Sequence, residues 1–146
     1  MRDDVQVQKH EPGNLWRDDA LQLAIDTRAD ALPGVHGYGP DDYEFGFALG
    51  ADGRPRKELT HVYELGRAAG ILDEISFAAF RRGDVTGYRI AIPWKTLKMN
   101  PEKGKVFGLN FIVNDNDGPG SRFYMGLTPG IVEVKNPYAF RKFILE

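Results

Sequence analysis

Apolar residues fall at every second position in several segments of the chain, which is the pattern of β-strands that bury one face. The clearest segment is Tyr43–Leu49, which precedes the turn signal Asp52-Gly53. Ala20–Asp26 and Val106–Asn114 alternate in the same way. Their inward residues are predicted to form the core, namely Leu21, Leu23, Ile25, Tyr43, Phe45, Phe47, Leu49, Phe107, Leu109, Phe111 and Val113.

A β-hairpin is predicted between residues 75 and 92. Ile75–Arg81 and Gly87–Ile92 flank a turn with the sequence Arg-Gly-Asp. Pro93 ends the second strand because proline has no N–H to donate to a ladder. The inward face of this second strand is predicted to carry Tyr88, Ile90 and Ile92.

Two shorter strands, Arg122–Met125 and Phe140–Leu145, complete the predicted set. The helical signal is weak. Glu64–Glu74 has apolar residues at helical spacing but contains two glycines, and Trp94–Met99 suits a single turn after proline. Short strands joined by turns therefore predict an all-β fold, an antiparallel, jelly-roll-like β-sandwich with little helix, as a single domain over residues 1–146.

The composition agrees with this fold class. A length of 146 residues suits one domain, and 17 glycines with 9 prolines provide many turns. The absence of cysteine excludes disulfides, a thiol nucleophile and a zinc–thiolate site. The net charge of −2 argues against a nucleic-acid partner and is compatible with a neutral ligand. No apolar run approaches the ~20 residues of a membrane span, and no signal peptide is expected in this chain.

Four segments, taken in order, resemble the family 9 carbohydrate-binding modules. They are NLWRDDALQLAID (14–26), DDYEF (41–45), GYRIAIPWKTL (87–97) and FGLNFIVND (107–115). The first is similar to the family's Trp-x-x-Asp before an alternating strand that ends in Ile-Asp. The third is similar to Tyr-x-x-Glu-x-x-Ile-x-Trp-x-x-Leu without a clear acidic position, and the fourth to Gly-hydrophobic-Asn-x-x-Val-Asn-Asp. The resemblance implies the family's β-sandwich over nearly the whole chain.

The resemblance leaves one gap at the beginning of the chain. The family domain normally opens with strands that precede the segment matching Arg2–Val7, and we expect these strands to be missing from the chain. We expect a fragment, a wrongly predicted reading frame or a shortened variant. Unpaired ladder groups at such an edge favour self-association or contact with a neighbouring catalytic domain.

The resemblance implies a non-catalytic module that binds an oligo- or polysaccharide and belongs to a secreted, polysaccharide-degrading glycoside hydrolase. Its location would be extracellular or periplasmic, with neither nucleic acid nor membrane as a partner. Family members hold a sugar between aromatic faces while polar side chains bond its hydroxyls. The alternative is a structural or interaction β-sandwich that has lost sugar binding.

Trp16 matches one aromatic wall of the family's sugar site, and a core position at the start of the strand is an equal alternative for it. The opposite wall falls near Val134, which is not aromatic. A tyrosine from a loop is the expected substitute, and the candidates are Tyr38, Tyr124 and Tyr138.

The polar side of the predicted sheet supplies the hydrogen-bonding candidates. Gln22 stands where sugar-binding members have an acidic residue, and Gly46 and Ala48 stand where they have Arg and Asn. This face is either a shallow groove or a surface covered by another domain. The predicted ligand-binding residues are Trp16, Gln22, Glu44, Asn110, Asn114 and Tyr138.

Asn114–Gly118 has the sequence NDNDG, which clusters oxygen ligands of the kind that calcium prefers. The resemblance implies structural calcium, and Asp115 and Asp117 are the predicted ligands, with Asp3 and Asp4 as further candidates. The alternative is a polar turn in which Asp and Asn bond their own backbone.

No motif in the chain indicates catalysis. There are three histidines, no Ser-His-Asp order, no His-Glu-x-x-His and no phosphate-binding glycine loop. Some relatives of this sandwich hold b-type haem through Met with His or Lys, which leaves haem binding as a further alternative. It would require Met99 or Met125 together with His36 or His61, and no spacing supports that pairing.

Overall fold

The computed structural model describes residues 1–62, 70–119 and 122–146. The described residues form eight strands, one short α-helix and two 3-10 turns. The strands are β1 (Ala20–Asp26), β2 (Asp42–Leu49), β3 (Pro55–Val62), β4 (Ser76–Arg82), β5 (Val85–Ala91), β6 (Val106–Asn116), β7 (Arg122–Gly126) and β8 (Arg141–Ile144). The helix α1 is Ile71–Glu74, and the 3-10 turns are Leu15–Arg17 and Pro137–Ala139.

All described strand pairs are antiparallel, and they form two layers. The large sheet has the order β3-β2-β1-β6-β7, and β8 pairs with the first half of β6. The second layer is the β4–β5 hairpin. The predicted all-β antiparallel sandwich is thereby confirmed.

The predicted alternation positions the core between the two layers. Strand β1 lies between β2 and β6, so that Leu23 is paired with both Phe45 and Phe111. Phe47 reaches across to Phe77 of the hairpin, with ring centroids 5.1 Å apart. The buried core residues are Ile25, Tyr43, Phe45, Phe47, Ile71, Ile75, Leu97, Met99 and Phe107.

Strand β3 was not expected from the hydrophobic pattern, and a β-bulge explains why. The register moves from Glu44 opposite His61 to Phe45 opposite Leu59, which leaves Thr60 as an extra residue. As a result Leu59 and Val62, three positions apart, both pack against the core. The bulge breaks the period of two that identifies the other strands.

The first residues of the chain lie beside β5. Met1 and Thr86 exchange two hydrogen bonds of 2.9 Å each, between the terminal ammonium and the Thr86 carbonyl and between the Thr86 N–H and the Met1 carbonyl. Arg81 donates to the Asp3 carboxylate at 3.1 Å and to the Asp3 carbonyl at 2.7 Å. Residues 1–3 therefore cover part of the β5 edge.

The weak helical predictions have different outcomes. Of the predicted helix Glu64–Glu74, residues 64–69 lie outside the described part of the chain, and the last turn is α1. Trp94–Met99 forms turns closed by backbone hydrogen bonds such as Leu97 N–H to the Trp94 carbonyl at 3.1 Å. Within the described residues, no helix has the length and apolar character required to span a membrane.

Three buried carboxylates meet where β1 ends and β2 begins. They belong to Asp26, Asp41 and Asp42, and one oxygen of each lies within 4.8 Å of the others. Backbone N–H groups of residues 28 and 29 bind Asp26, and the N–H of Gly39 binds Asp42. Burial, with added repulsion from Asp26 and Asp41, raises the pKa of Asp42 to about 7.

A raised carboxyl pKa makes the folded state bind a proton more tightly than the unfolded state. We therefore expect the free energy of unfolding to fall as pH rises from about 4 to about 7, with Asp42 contributing on the order of 4 kcal/mol. Asp42→Asn should be more stable than the wild type at pH ~8 and show a flatter pH profile. Urea unfolding with EDTA, from acid to neutral pH, measures this. Asp73→Asn, at an exposed position, should show the same dependence of the free energy of unfolding on pH as the wild type. The prediction would be contradicted if Asp42→Asn also showed the wild-type pH dependence.

Candidate functional site

The 3-10 turn Leu15–Arg17 carries Trp16 across the polar side of the large sheet. Leu15 is fully buried and packs against Ala20 and Ala48, which anchors the turn. The carboxylate of Glu58 on β3 accepts hydrogen bonds from the backbone N–H of Gly13 at 2.6 Å and of Leu15 at 3.1 Å. Glu58 therefore fixes the loop on both sides of Asn14.

The small residues of β2 make this arrangement possible. A Cβ on Gly46 would lie 2.4 Å from Cγ of Glu58. Only glycine at this position leaves room for the Glu58 side chain to lie over strand β2. Ala48 likewise leaves room for Leu15. The region that the sequence left open as a groove or a covered surface is covered here by the chain's own Trp16 loop.

Beside this loop lies a cleft of about 410 Å³, referred to below as the Trp16 cleft. Four of the predicted ligand-binding residues line it, namely Trp16, Gln22, Glu44 and Asn114. Strand β7 contributes Arg122, Phe123 and Tyr124, and the loop after it contributes Ile131, Val132 and Lys135. The cleft therefore combines an aromatic rim with a polar floor.

The floor is a chain of hydrogen bonds across three strands. Asn114 donates from Nδ2 to Oε1 of Gln22 at 3.1 Å, and Gln22 donates from Nε2 to Oε1 of Glu44 at 2.7 Å. The second oxygen of Glu44 accepts from the Tyr38 hydroxyl and, at 2.7 Å, from Nζ of Lys135. The carboxylate is fully buried, and these partners give both of its oxygens donors and hold each amide in one orientation.

Tyr38 is half-buried and contacts the floor through Glu44. Its ring centroid is 4.6 Å from that of His61, and burial together with the Glu44 charge raises the pKa of its hydroxyl. Burial also lowers the pKa of His61, whose Nε2 is buried without a hydrogen-bond partner. Tyr38 is therefore a support for Glu44 rather than a wall of the cleft.

Trp16 is 37% exposed, and its ring forms one side of the cleft. The guanidinium carbons of Arg17 and Arg122 lie 5.3 Å and 5.2 Å from its ring centroid. Tyr124, one of the three tyrosine substitutes, is 50% exposed and shares the cleft. Val134 is exposed but does not line the cleft, whereas its neighbour Val132 does.

The two aspartates after Trp16 tie the N-terminal segment to the sheet. Asp19 accepts hydrogen bonds from the N–H groups of Val7 and Asn116, and burial raises its pKa to about 6. Burial alone would also raise the pKa of Asp18, but hydrogen bonds from Lys9 and His10 hold it below its ordinary value. The Trp-x-x-Asp pattern therefore has a structural basis in this chain.

Asn110 and Tyr138 lie apart from the Trp16 cleft. Asn110 is fully buried and donates to the carbonyls of Thr128 at 2.9 Å and Pro129 at 3.0 Å. It also accepts from the N–H of Thr128, so it holds the loop after β7. Tyr138 is 51% exposed in the second 3-10 turn and is not among the cleft residues. Their ligand contacts stay predictions.

The predicted calcium ligands come together with the beginning of the chain. Carboxylate oxygens of Asp3, Asp115 and Asp117 lie within 4.8 Å of one another, although Asp3 is more than a hundred residues away in sequence. Oδ1 of Asp115 is buried without a hydrogen-bond partner. Asp4 is exposed and does not belong to this cluster. An oxygen-only set of this kind suits a hard cation.

The residues considered for haem are dispersed. Met99 is 5% exposed and packs in the core, whereas Met125 is 72% exposed on β7. The His61 ring lies against that of Tyr38 at an interplanar angle of 38°, and His36 is exposed. None of the four lines the Trp16 cleft.

Comparison with known proteins gives the class of the chain. A family profile described as "Carbohydrate family 9 binding domain-like" matches residues 1–145. The chain belongs to this family. No curated protein sequence matches it significantly.

Two solved structures of a family 9 carbohydrate-binding module from Caldicellulosiruptor kristjanssonii are similar in fold. The complex with glucose has a TM-score of 0.71 and 17% sequence identity, and the complex with cellotriose has a TM-score of 0.67 and 16% identity. Each similarity covers 99% of this chain. The chain spans 66% and 65% of the length of those two proteins.

Several residues that shape the cleft were not predicted, among them Glu58, Arg122, Phe123 and Lys135. Glu58 and Lys135 are ordinary charged residues in sequence, and only the crossing over Gly46 and the contact with Glu44 distinguish them. The one available signal was the run Arg122-Phe123-Tyr124, which sets a cation beside two aromatic residues. Its relation to Trp16 depends on strand pairing.

We expect Glu58→Ala to release the Trp16 loop, because two backbone N–H groups lose a charged acceptor. The free energy of unfolding should fall by at least about 2 kcal/mol. In a Trp94→Phe background, the emission of Trp16 should shift to the red and acrylamide should quench it more strongly. Glu11→Ala, which removes only an exposed ion pair with Arg56, should change stability by less than about 1 kcal/mol. Unchanged Trp16 emission in Glu58→Ala would show that the loop does not depend on Glu58.

Proposed function

We propose that this domain is a non-catalytic carbohydrate-binding module whose saccharide ligand lies in the Trp16 cleft. The observation that carries the proposal is one exposed indole beside a floor of oriented amides. An indole face matches the C–H face of a pyranose, and directional donors and acceptors match its hydroxyls. Membership of the family supports this function.

Within the proposed site Trp16 is the stacking surface, and Tyr124 is a further aromatic residue that lines the cleft. Gln22 and Asn114 bond sugar hydroxyls through amide groups that the Glu44 network orients. Asn110 acts by shaping the loop after β7, and Tyr138 would meet only a ligand that extends beyond the cleft. The two similar structures are complexes with glucose and cellotriose, which makes short β-glucans suitable first probes.

We further propose that the domain serves a polysaccharide-degrading glycoside hydrolase outside the cytoplasm, either in the same polypeptide or as a partner. Sugar binding without catalytic groups increases the time that an attached enzyme spends on an insoluble substrate. This role rests on the family resemblance and on the saccharide site together.

Trp16→Ala should abolish or greatly weaken saccharide binding, because it removes the apolar surface on which the sugar stacks. We expect at least about a tenfold rise in Kd. Isothermal titration and affinity electrophoresis with cellotriose, xylotriose and acidic oligosaccharides measure the change. Trp94 offers a matched control, since it is also 37% exposed but packs edge-on against Phe107 away from the cleft.

Trp94→Ala should bind as the wild type does, with circular dichroism confirming that both variants fold. Equal binding by Trp16→Ala and the wild type would contradict the stacking role. If the wild type bound none of these saccharides, the proposed function would be wrong.

A structural or interaction domain is the second candidate function. Strand β7 is exposed along its whole length, and Phe123 and Met125 are 64% and 72% exposed. Apolar side chains on an edge strand suit contact with a neighbouring domain or a second chain. Sedimentation of the same samples separates the candidates, because an oligomer without saccharide binding favours this role and a monomer that binds saccharide favours the first.

We also propose that Asp3, Asp115 and Asp117 hold a structural calcium ion. The buried, unpartnered Oδ1 of Asp115 supports this assignment, since a buried carboxylate oxygen without a donor favours a cation. Burial and the neighbouring carboxylates Asp117, Asp3 and Asp4 raise the pKa of Asp115, as expected for an acidic cluster without a cation. A bound ion would connect the beginning of the chain to the end of β6.

Calcium at about a hundredfold excess over its Kd should stabilise the folded state by about 2.7 kcal/mol, because the unfolded chain lacks the site. Thermal unfolding after EDTA treatment should show a rise in Tm of at least about 5 °C on addition of calcium. Asp115→Asn should lose this rise, and Asp73→Asn should keep it. An equal rise in Asp115→Asn would place the ion elsewhere.

A further inference from the structure

A second depression adjoins the Trp16 cleft. This depression has a volume of about 420 Å³ and is lined by the N-terminal segment, the Trp16 loop and the end of β6. Trp16 and Arg122 line both cavities. Because the two cavities share these two side chains, they are referred to together below as the groove.

Basic side chains dominate the groove, although the whole chain has a net charge of −2. Four bases line it, namely Lys9, Arg17, Arg122 and Lys135. The carboxylates that line it are those of Asp18 and Glu44. The groove is therefore positive while the rest of the chain is on balance negative.

Neither carboxylate is available to a ligand. Asp18 is 2% exposed and accepts hydrogen bonds from the N–H of Lys9 at 2.6 Å, from the N–H and ring of His10, and from Asn116. Glu44 is fully buried under Gln22, Tyr38 and Lys135. Their charges hold the protein together, whereas Lys9, Arg17 and Arg122 are exposed at the surface of the groove.

Arg122 is the base at the centre of the groove. Its guanidinium lies over the Trp16 ring and makes one hydrogen bond of 3.3 Å to the Trp16 carbonyl. Within the described ranges of the chain, no carboxylate pairs with it, and its other N–H groups are directed to no protein acceptor. A planar guanidinium of this kind binds a planar carboxylate through two parallel hydrogen bonds.

From this juxtaposition we infer that the groove binds an acidic saccharide, in which a hexuronate carboxylate pairs with Arg122 while a neighbouring sugar ring lies against Trp16. The inference rests on the proposed saccharide site and specifies its ligand class. On this inference the positive charge of the groove, and not the net charge of −2 of the whole chain, determines the charge of the preferred ligand.

A matched pair of probes tests the inference on the full chain, namely a xylo-oligosaccharide with one glucuronate branch and the same oligosaccharide without it. We expect the branched probe to bind at least about tenfold more tightly. Raising the salt from about 20 mM to about 300 mM should reduce this preference and leave the neutral probe almost unaffected.

Arg122→Gln should remove the preference, so that it binds the branched and the unbranched probe with equal Kd. Arg122→Lys should keep the salt dependence but lose part of the preference, because it retains the charge without the paired donors. Arg89→Gln, at an exposed position on β5, should behave as the wild type. Equal binding of the two probes by the wild type would overturn the inference and leave the proposed function in place. Binding of neither probe would overturn both.

Discussion

Strand β2 is buried on both faces, and this constraint organises the rest of the structure. Its apolar face packs against the hairpin through Phe45 and Phe47, as in an ordinary sandwich. Its other face carries Glu44 with no exposure to solvent. A buried carboxylate requires hydrogen-bond donors around it, and Gln22, Tyr38 and Lys135 donate to Glu44.

The same constraint explains how the Trp16 loop is held. Covering β2 requires a loop to lie on the sheet, and a loop brings backbone N–H groups that must find acceptors. Glu58 supplies an acceptor by crossing over Gly46, and Leu15 fills the space above Ala48. The small residues Gly46 and Ala48 are therefore the condition for bringing Trp16 to the edge of the cleft.

The charge of the groove is positive because its carboxylates bond within the protein, whereas its bases reach the surface. The carboxylates near the cleft are used internally, in the floor network and in the attachment of residues 7–10 to Asp18 and Asp19. The bases that remain are long side chains, which reach the surface while their stems pack along the protein. A chain with slightly more acidic than basic residues thereby presents a basic groove around an exposed indole.

Much of the fold could be predicted from the sequence, because strand alternation is a local property. Ala20–Asp26 has the bounds that its pattern predicts, and β6 extends only two residues beyond its predicted end. Strand β3 escaped prediction because its bulge interrupts the alternation. The resemblance to family 9 modules, carried by four ordered segments, indicated the family that the profile confirms.

The candidate site depends partly on local sequence and partly on contacts between segments that are distant in sequence. Local sequence determined which residues could stack on or bond a sugar, and it indicated Trp16, Gln22, Glu44 and Asn114, which share one cleft. Only the tertiary structure showed that the Asn110 side chain holds the loop after β7, brought Asp3 to Asp115, and set Arg122 over Trp16. The physical reason is that alternation specifies the face of a residue within its own strand, whereas contacts between distant segments depend on strand order, register and the pairing of buried charges.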